Sequence, residues 1–145
     1  MNFIEKTLNN LCDMTADDVV QSMAKIYNEP IDRNKLLEYP QFIRDIIFLI
    51  DFDTEMNMQG DVLQNSIKEH VPNIITALGN IEANNESKIL QEIYKRFQQN
   101  PDDEMIDKLY AKMYLYTDFD IWLLLDIYVE KQMKEYILKS NNENK

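Results

Sequence analysis

Residues 40–60, PQFIRDIIFLIDFDTEMNMQG, constrain this fold more than any other stretch. They begin at a proline and end at one of only two glycines in the 145-residue chain. Phe42, Ile43, Ile46, Ile47, Leu49 and Ile50 recur at spacings of three and four, which predicts a buried helix. Asp51, Asp53 and Glu55 follow, with no basic residue among them. Core and charge therefore meet on one element.

The rest of the chain carries the same period. Residues 2–12 fit a short helix with Phe3, Ile4, Leu8 and Leu11 on one side. Thr15 reads as the N-cap of a second helix reaching about Tyr27, with Asp17 and Asp18 in its dipole-favoured first turn. Asn28-Glu-Pro30 breaks it. Helices are expected over 62–69 and over 72–81, the second opened by Pro72, with Gly79 as a close-packing or C-cap glycine. Asn84-Asn85 reads as a turn, and 86–97 as an amphipathic helix presenting Ile89, Leu90, Ile93, Tyr94 and Phe97. Pro101 followed by Asp102, Asp103 and Glu104 predicts a helix start, running to about Tyr116. Thr117-Asp118 offers the next cap. A last helix over 119–139 is apolar on most sides in its first half, IWLLLDIYV, which predicts a central place in the core. No period-two run or hairpin signal competes. The expectation is an all-α single domain over 1–139, with a fraying tail at 140–145.

Composition enters where function is at issue. The lone Cys12 excludes an internal disulfide and fits a reducing cytoplasm. The N-terminus lacks a signal-peptide pattern, and no apolar run approaches the roughly 18 residues of a membrane span. A net charge of −11 disfavours direct binding to nucleic acid or to anionic membranes, and attracts basic partners. The plainer reading of that charge is solubility.

Catalytic and metal chemistry find little support. Asp51 through Asn57 resembles the start of a calcium loop, but Met56 stands at the required glycine and Val62 at the required glutamate. Asp51 and Glu55, one helical turn apart, have the spacing of a carboxylate pair without further machinery around them. One histidine (His70) and one distant cysteine assemble neither a zinc set nor a Cys-His nucleophile. No phosphate-binding glycine loop, nucleophile elbow or zinc-protease motif occurs. A non-enzyme without metal or cofactor is expected.

The charge itself is unevenly placed. Residues 38–61 hold six acids and one base, and residues 101–130 hold eight acids and two bases. Together these segments account for the whole net charge, so side by side they would make one negative face. Carboxylates one helical turn apart lie about 6 Å from each other along the axis, close to the phosphate spacing of a DNA strand. Such a face would suit a basic groove built for DNA. The candidate contacts are Asp51, Asp53, Glu55, Asp61, Asp102, Asp103, Glu104, Asp118 and Asp120.

A resemblance converges on the same residues. Phe52-Asp-Thr-Glu55-Met-Asn57-Met-Gln-Gly60, followed by Asn65-Ser66, resembles the signature of a small bacterial family of unknown function, with its acidic E-V-N core. The best-known member of that family is described as a DNA mimic protein. Ala77-Leu78-Gly79, the helix over 89–97 and the segment over 107–114 are similar to further family positions, so the resemblance spans about 40–130. Met58 and Gln59 depart from the commoner Asn-Gly. The resemblance implies an all-α fold and, for the mimic, acidic side chains that occupy a transcription factor's DNA-binding surface. The expected partner is thus a basic protein, with a DNA-binding protein as its sharpest form. An immunity or antidote protein against a basic toxin, and a small ligand-binding domain or enzyme of unknown type, are the alternatives. The protomer itself is expected to be a monomer or a homodimer.

Overall fold

The computed structural model describes residues 1–113 and 120–143, and no strand occurs among them. The helices are α1 (Phe3–Asn9), α2 (Ala16–Met23), α3 (Gln41–Gln59), α4 (Val71–Asn80), α5 (Asn84–Gln99), α6 (Met105–Tyr110) and α7 (Ile121–Glu143). Short 3-10 segments, Leu11–Asp13, Ala24–Tyr27, Arg33–Glu38 and Asn65–His70, fill several connections. The protein is all-α.

Helix α3 is the axis of the fold. It packs on α4 along one side and on α2 and α7 along the other. The chain then continues from α4 to α5 and from α5 to α6 as successive neighbours, while α1 covers α2. Residues 45–52 of α3 are buried without a break, so the helix is enclosed on every side there. Gly60 ends it in the left-handed conformation (φ 71°), and its N–H bonds back to the Met56 carbonyl at 2.9 Å. Only glycine takes that conformation without steric cost.

Local signals set several ends. The Thr15 hydroxyl accepts the Asp18 N–H at 3.1 Å, and the Asp18 carboxylate accepts the Thr15 N–H at 3.0 Å, a reciprocal capping box. Helix α4 ends in a Schellman motif: the Ala83 N–H reaches the Leu78 carbonyl and the Glu82 N–H reaches the Gly79 carbonyl. The left-handed residue of that motif is Glu82 (φ 67°), not Gly79. Gly79 instead packs close to the Ser87 hydroxyl.

Elsewhere the structure corrects the expected boundaries. The helix expected over 62–69 is a 3-10 segment, Asn65–His70, because Val62 and Leu63 are buried as a connection before it. Asn84 and Asn85 are the first residues of α5, since the turn is made earlier by Glu82. Helix α6 begins at Met105, after the Asp103 side chain has accepted the Met105 N–H at 2.8 Å in a turn. The cap expected at Thr117-Asp118 lies outside the described residues. Asp120 caps α7, accepting the Trp122 and Leu123 N–H groups at 3.1 and 3.2 Å. The expected tail is helical as far as Glu143.

The largest correction concerns α7. It is not enclosed by the core. Ile121, Leu125, Val129 and Met133 form a buried stripe at four-residue spacing, whereas Trp122, Leu123 and Ile127 are 37%, 57% and 61% exposed. One apolar stripe is covered by α2 and α3. The other is not.

Candidate functional site

Successive acidic residues of α3 point in different directions. Residues two apart on a helix are separated by about 200°, so Asp51 and Asp53 lie on opposite sides while Asp51 and Glu55 share one.

Asp51 is turned inward and only 4% exposed. Arg33 clamps it with two hydrogen bonds, Nε to Oδ2 at 2.7 Å and an Nη to Oδ1 at 2.9 Å, and the Tyr27 hydroxyl donates to Oδ1 at 2.8 Å. The hydrogen bond to Asp51 also holds the Arg33 guanidinium above its ordinary range. Burial pushes the Tyr27 phenol up to about 12. This carboxylate is neutralised in place and turned inward, not on the exposed acidic face where the sequence reading set it. Glu55 borders a polar depression beside the clamp, together with Asp32, Glu69 and His70.

Asp53 looks the other way, toward α2 and α7. It shares a groove of 390 Å³ with Asp17, Asp126, Tyr27, Ile50 and Trp122. Burial pushes its carboxyl above the usual aspartate range, offset partly by a hydrogen bond with Asn57. Asp126 is pushed up in the same direction by burial, then by the nearby charges of Asp17 and Asp120. Among the described residues, no ion pair forms at Asp17, Asp53, Asp120 or Asp126. Three carboxylates, Asp17, Asp53 and Asp126, thus gather where α2, α3 and the start of α7 meet, and the charge of the capping Asp120 is felt at Asp126.

The remaining expected contacts lie elsewhere. Asp61 accepts the Leu63 N–H and, at 3.2 Å, the Tyr110 hydroxyl proton, which ties the end of α3 to α6. Asp102 and Glu104 are exposed at the corner between α5 and α6. Asp103, beside them, lies 3.3 Å from an Arg96 Nη. Asp118 lies outside the described residues. The two acid-rich segments therefore bring carboxylates to one groove at Asp53 and Asp126, and not along their whole length.

Sequence reading missed Asp17 and Asp126 as site residues. Asp17 lies outside the two acid-rich segments, and only the packing of α2 against α7 brings it to Asp126. Asp126 did carry a signal, since it interrupts the apolar run IWLLLDIYV. The buried Asp45 was likewise counted with the surface charge. It is 1% exposed and accepts bonds from Gln41, Asn80 and Tyr128 at 2.8, 2.9 and 2.6 Å.

The calcium-loop resemblance dissolves in the structure, because residues 51–57 are regular α-helix. Among the described residues, no group of three or more His, Cys, Asp or Glu side chains is placed to hold a metal ion. No described helix is long and apolar enough to cross a membrane.

No curated protein and no solved structure matches the chain. A family model, that of the DMP19-like proteins, matches residues 37–140, which include α3 through α6 and most of α7. The acidic, all-α chain with its signature at the end of α3 belongs to the DMP19-like protein family, named for a DNA mimic protein.

Proposed function

We propose that this protein is a non-enzymatic interaction domain that occupies the DNA-binding surface of a basic protein, such as a transcription factor. The observation that carries the reading is the gathering of Asp17, Asp53 and Asp126 in one groove, with no ion pair to any of them among the described residues. The charges of Asp17 and Asp120 act unfavourably on Asp126, a cost that a basic partner would relieve. Membership of a family named for a DNA mimic supports the same conclusion. Asp53 is the principal contact of the expected set, joined by Asp17 and Asp126, while Asp120, which caps α7, adds to the field beside Asp126. Glu55, Asp102 and Glu104 extend the negative field, and Asp51 serves the fold.

The test is capture of a basic partner by the purified protein, with elution by salt and competition by the partner's own DNA. Lysine at Asp53 and Asp126 together should abolish capture, while lysine at Asp102 and Glu104 should weaken it several-fold at most. Undiminished capture by the first variant, or no competition by DNA, would overturn the reading.

A further inference from the structure

The uncovered stripe of α7 does not end at the carboxylates. Below the Asp53 groove runs a second, larger depression of 610 Å³ between the α1–α2 connection and α7. Its apolar walls are Leu11, Met14, Leu123, Ile127, Met133 and Ile137. Asp17 and Asp126 line both depressions, so the two form one continuous trough with acids at its waist. Glu130 adds a further carboxylate, paired with Lys134 at 3.6 Å. Along α7 the trough reaches from Trp122 to Ile137, about 22 Å at the rise of an α-helix.

A surface that imitated phosphates alone would need no apolar floor. Leu123 and Ile127, more than half exposed, stand one turn apart with Asp126 beside them. Their spacing matches what a helix lying in a groove requires of its bed: apolar contacts at one-turn intervals. A second copy of this chain is a poor occupant. An isologous contact whose twofold axis crosses the waist of the trough would set Asp17 and Asp126 against their own copies. A cationic occupant turns that repulsion into attraction.

We infer that the trough between α2 and α7 receives a basic amphipathic α-helix of the protein partner, about 15 residues long, whose apolar side chains seat on Leu123 and Ile127 while its flanking Lys or Arg side chains meet Asp17, Asp53 and Asp126. The inference rests on the proposed function and specifies which part of the basic partner is bound.

The probe is a 16-residue peptide of leucine and lysine with leucines on one helical face, set against an isomer of equal composition with its leucines spread around the helix. Trp122, the single tryptophan, lines the trough and reports occupancy by its fluorescence, and circular dichroism reports helix gained by the peptide. The patterned peptide should bind about tenfold tighter than the isomer and become helical on binding. Leu123→Ser with Ile127→Ser should remove that preference and leave the melting temperature within a few degrees, both residues being exposed. Asp17→Asn with Asp126→Asn should weaken both peptides and flatten their salt dependence.

Equal binding of the two peptides, unaffected by the serine variants, would overturn the helix-in-trough inference while leaving the electrostatic reading standing. Absence of binding by either peptide at low salt would overturn both. A homodimer seen by sedimentation and dissociated by the serine variants would assign the trough to a second copy and overturn the inference.

Discussion

Asp51 and Asp53 are the same residue type, two positions apart on one helix, and they live in opposite circumstances. Asp51 is enclosed, clamped by an arginine and bonded by a tyrosine; Asp53 is half-buried, shares a groove with Asp17 and Asp126 and forms no ion pair among the described residues. The difference teaches that acidic content is a poor guide to an acidic surface. A carboxylate that holds the fold together and one that presents charge outward are distinguished by what neighbouring elements bring to them. Here Arg33 comes from the 3-10 segment before α3, and Asp17 and Asp126 come from α2 and α7.

The sharpest way to break the comparison is to strip Asp51 of its partner. Arg33→Ala should destabilise the protein by about 3 kcal/mol, because it leaves a buried charge uncompensated. Chemical denaturation would measure it, and an effect below about 1 kcal/mol would place Asp51 with the surface acids. Partner capture well below the melting temperature should be unchanged.

Asp45 sharpens the same contrast, being buried and satisfied by neutral donors only. Tyr128→Phe should cost about 2 kcal/mol by removing one hydrogen bond to a charged group. Burial and that same bond push the Tyr128 phenol well above its ordinary range.

Tyr27 gives a smaller, pH-dependent effect. Its phenol titrates at about 12 when folded against 10.0 when free, so its contribution is whole below pH 10 and disappears as the pH rises through 12. With the ring half-exposed, the loss should be about 1 kcal/mol. Phenolate absorbance followed alongside denaturation would show it, and a stability flat across that window would sever Tyr27 from the clamp.

The smallest effect carries the opposite sign. Asp53 and Asp126 have raised pKa values, so they favour folding when protonated and oppose it once ionised. Asp126→Asn should therefore raise stability at neutral pH by about 0.5 kcal/mol or less, since these groups are partly solvated and screened. The gain should vanish as the pH falls through the carboxylate range. A loss of stability at neutral pH would show that Asp126, like Asp51, serves the fold.

How far the sequence could be read follows from the range of each interaction. The all-α class, the Thr15 cap, the Gly60 stop and the extent of α3 all rest on contacts within about four residues, so the periodicity of the chain revealed them. The family signature at the end of α3 was legible for the same reason. The start of α5 was misplaced because Glu82 adopts a left-handed conformation that glycine or asparagine would normally announce.

The candidate site was legible only in part. Composition located an excess of acid on α3 and around α7, and it named Asp53 and Asp120. It could not separate Asp51 from Asp53, because that requires knowing which side of α3 Arg33 covers. Nor could it place Asp17 beside Asp126, which depends on α2 meeting α7 across more than a hundred residues of chain. The apolar half of α7 was read as core because its sequence offers two hydrophobic stripes. The tertiary structure covers only one of them, since α2 and α3 meet α7 along a single side. By itself the sequence determined the helices and the charge. Packing alone decided which carboxylates were neutralised, which were gathered, and which apolar face was left open.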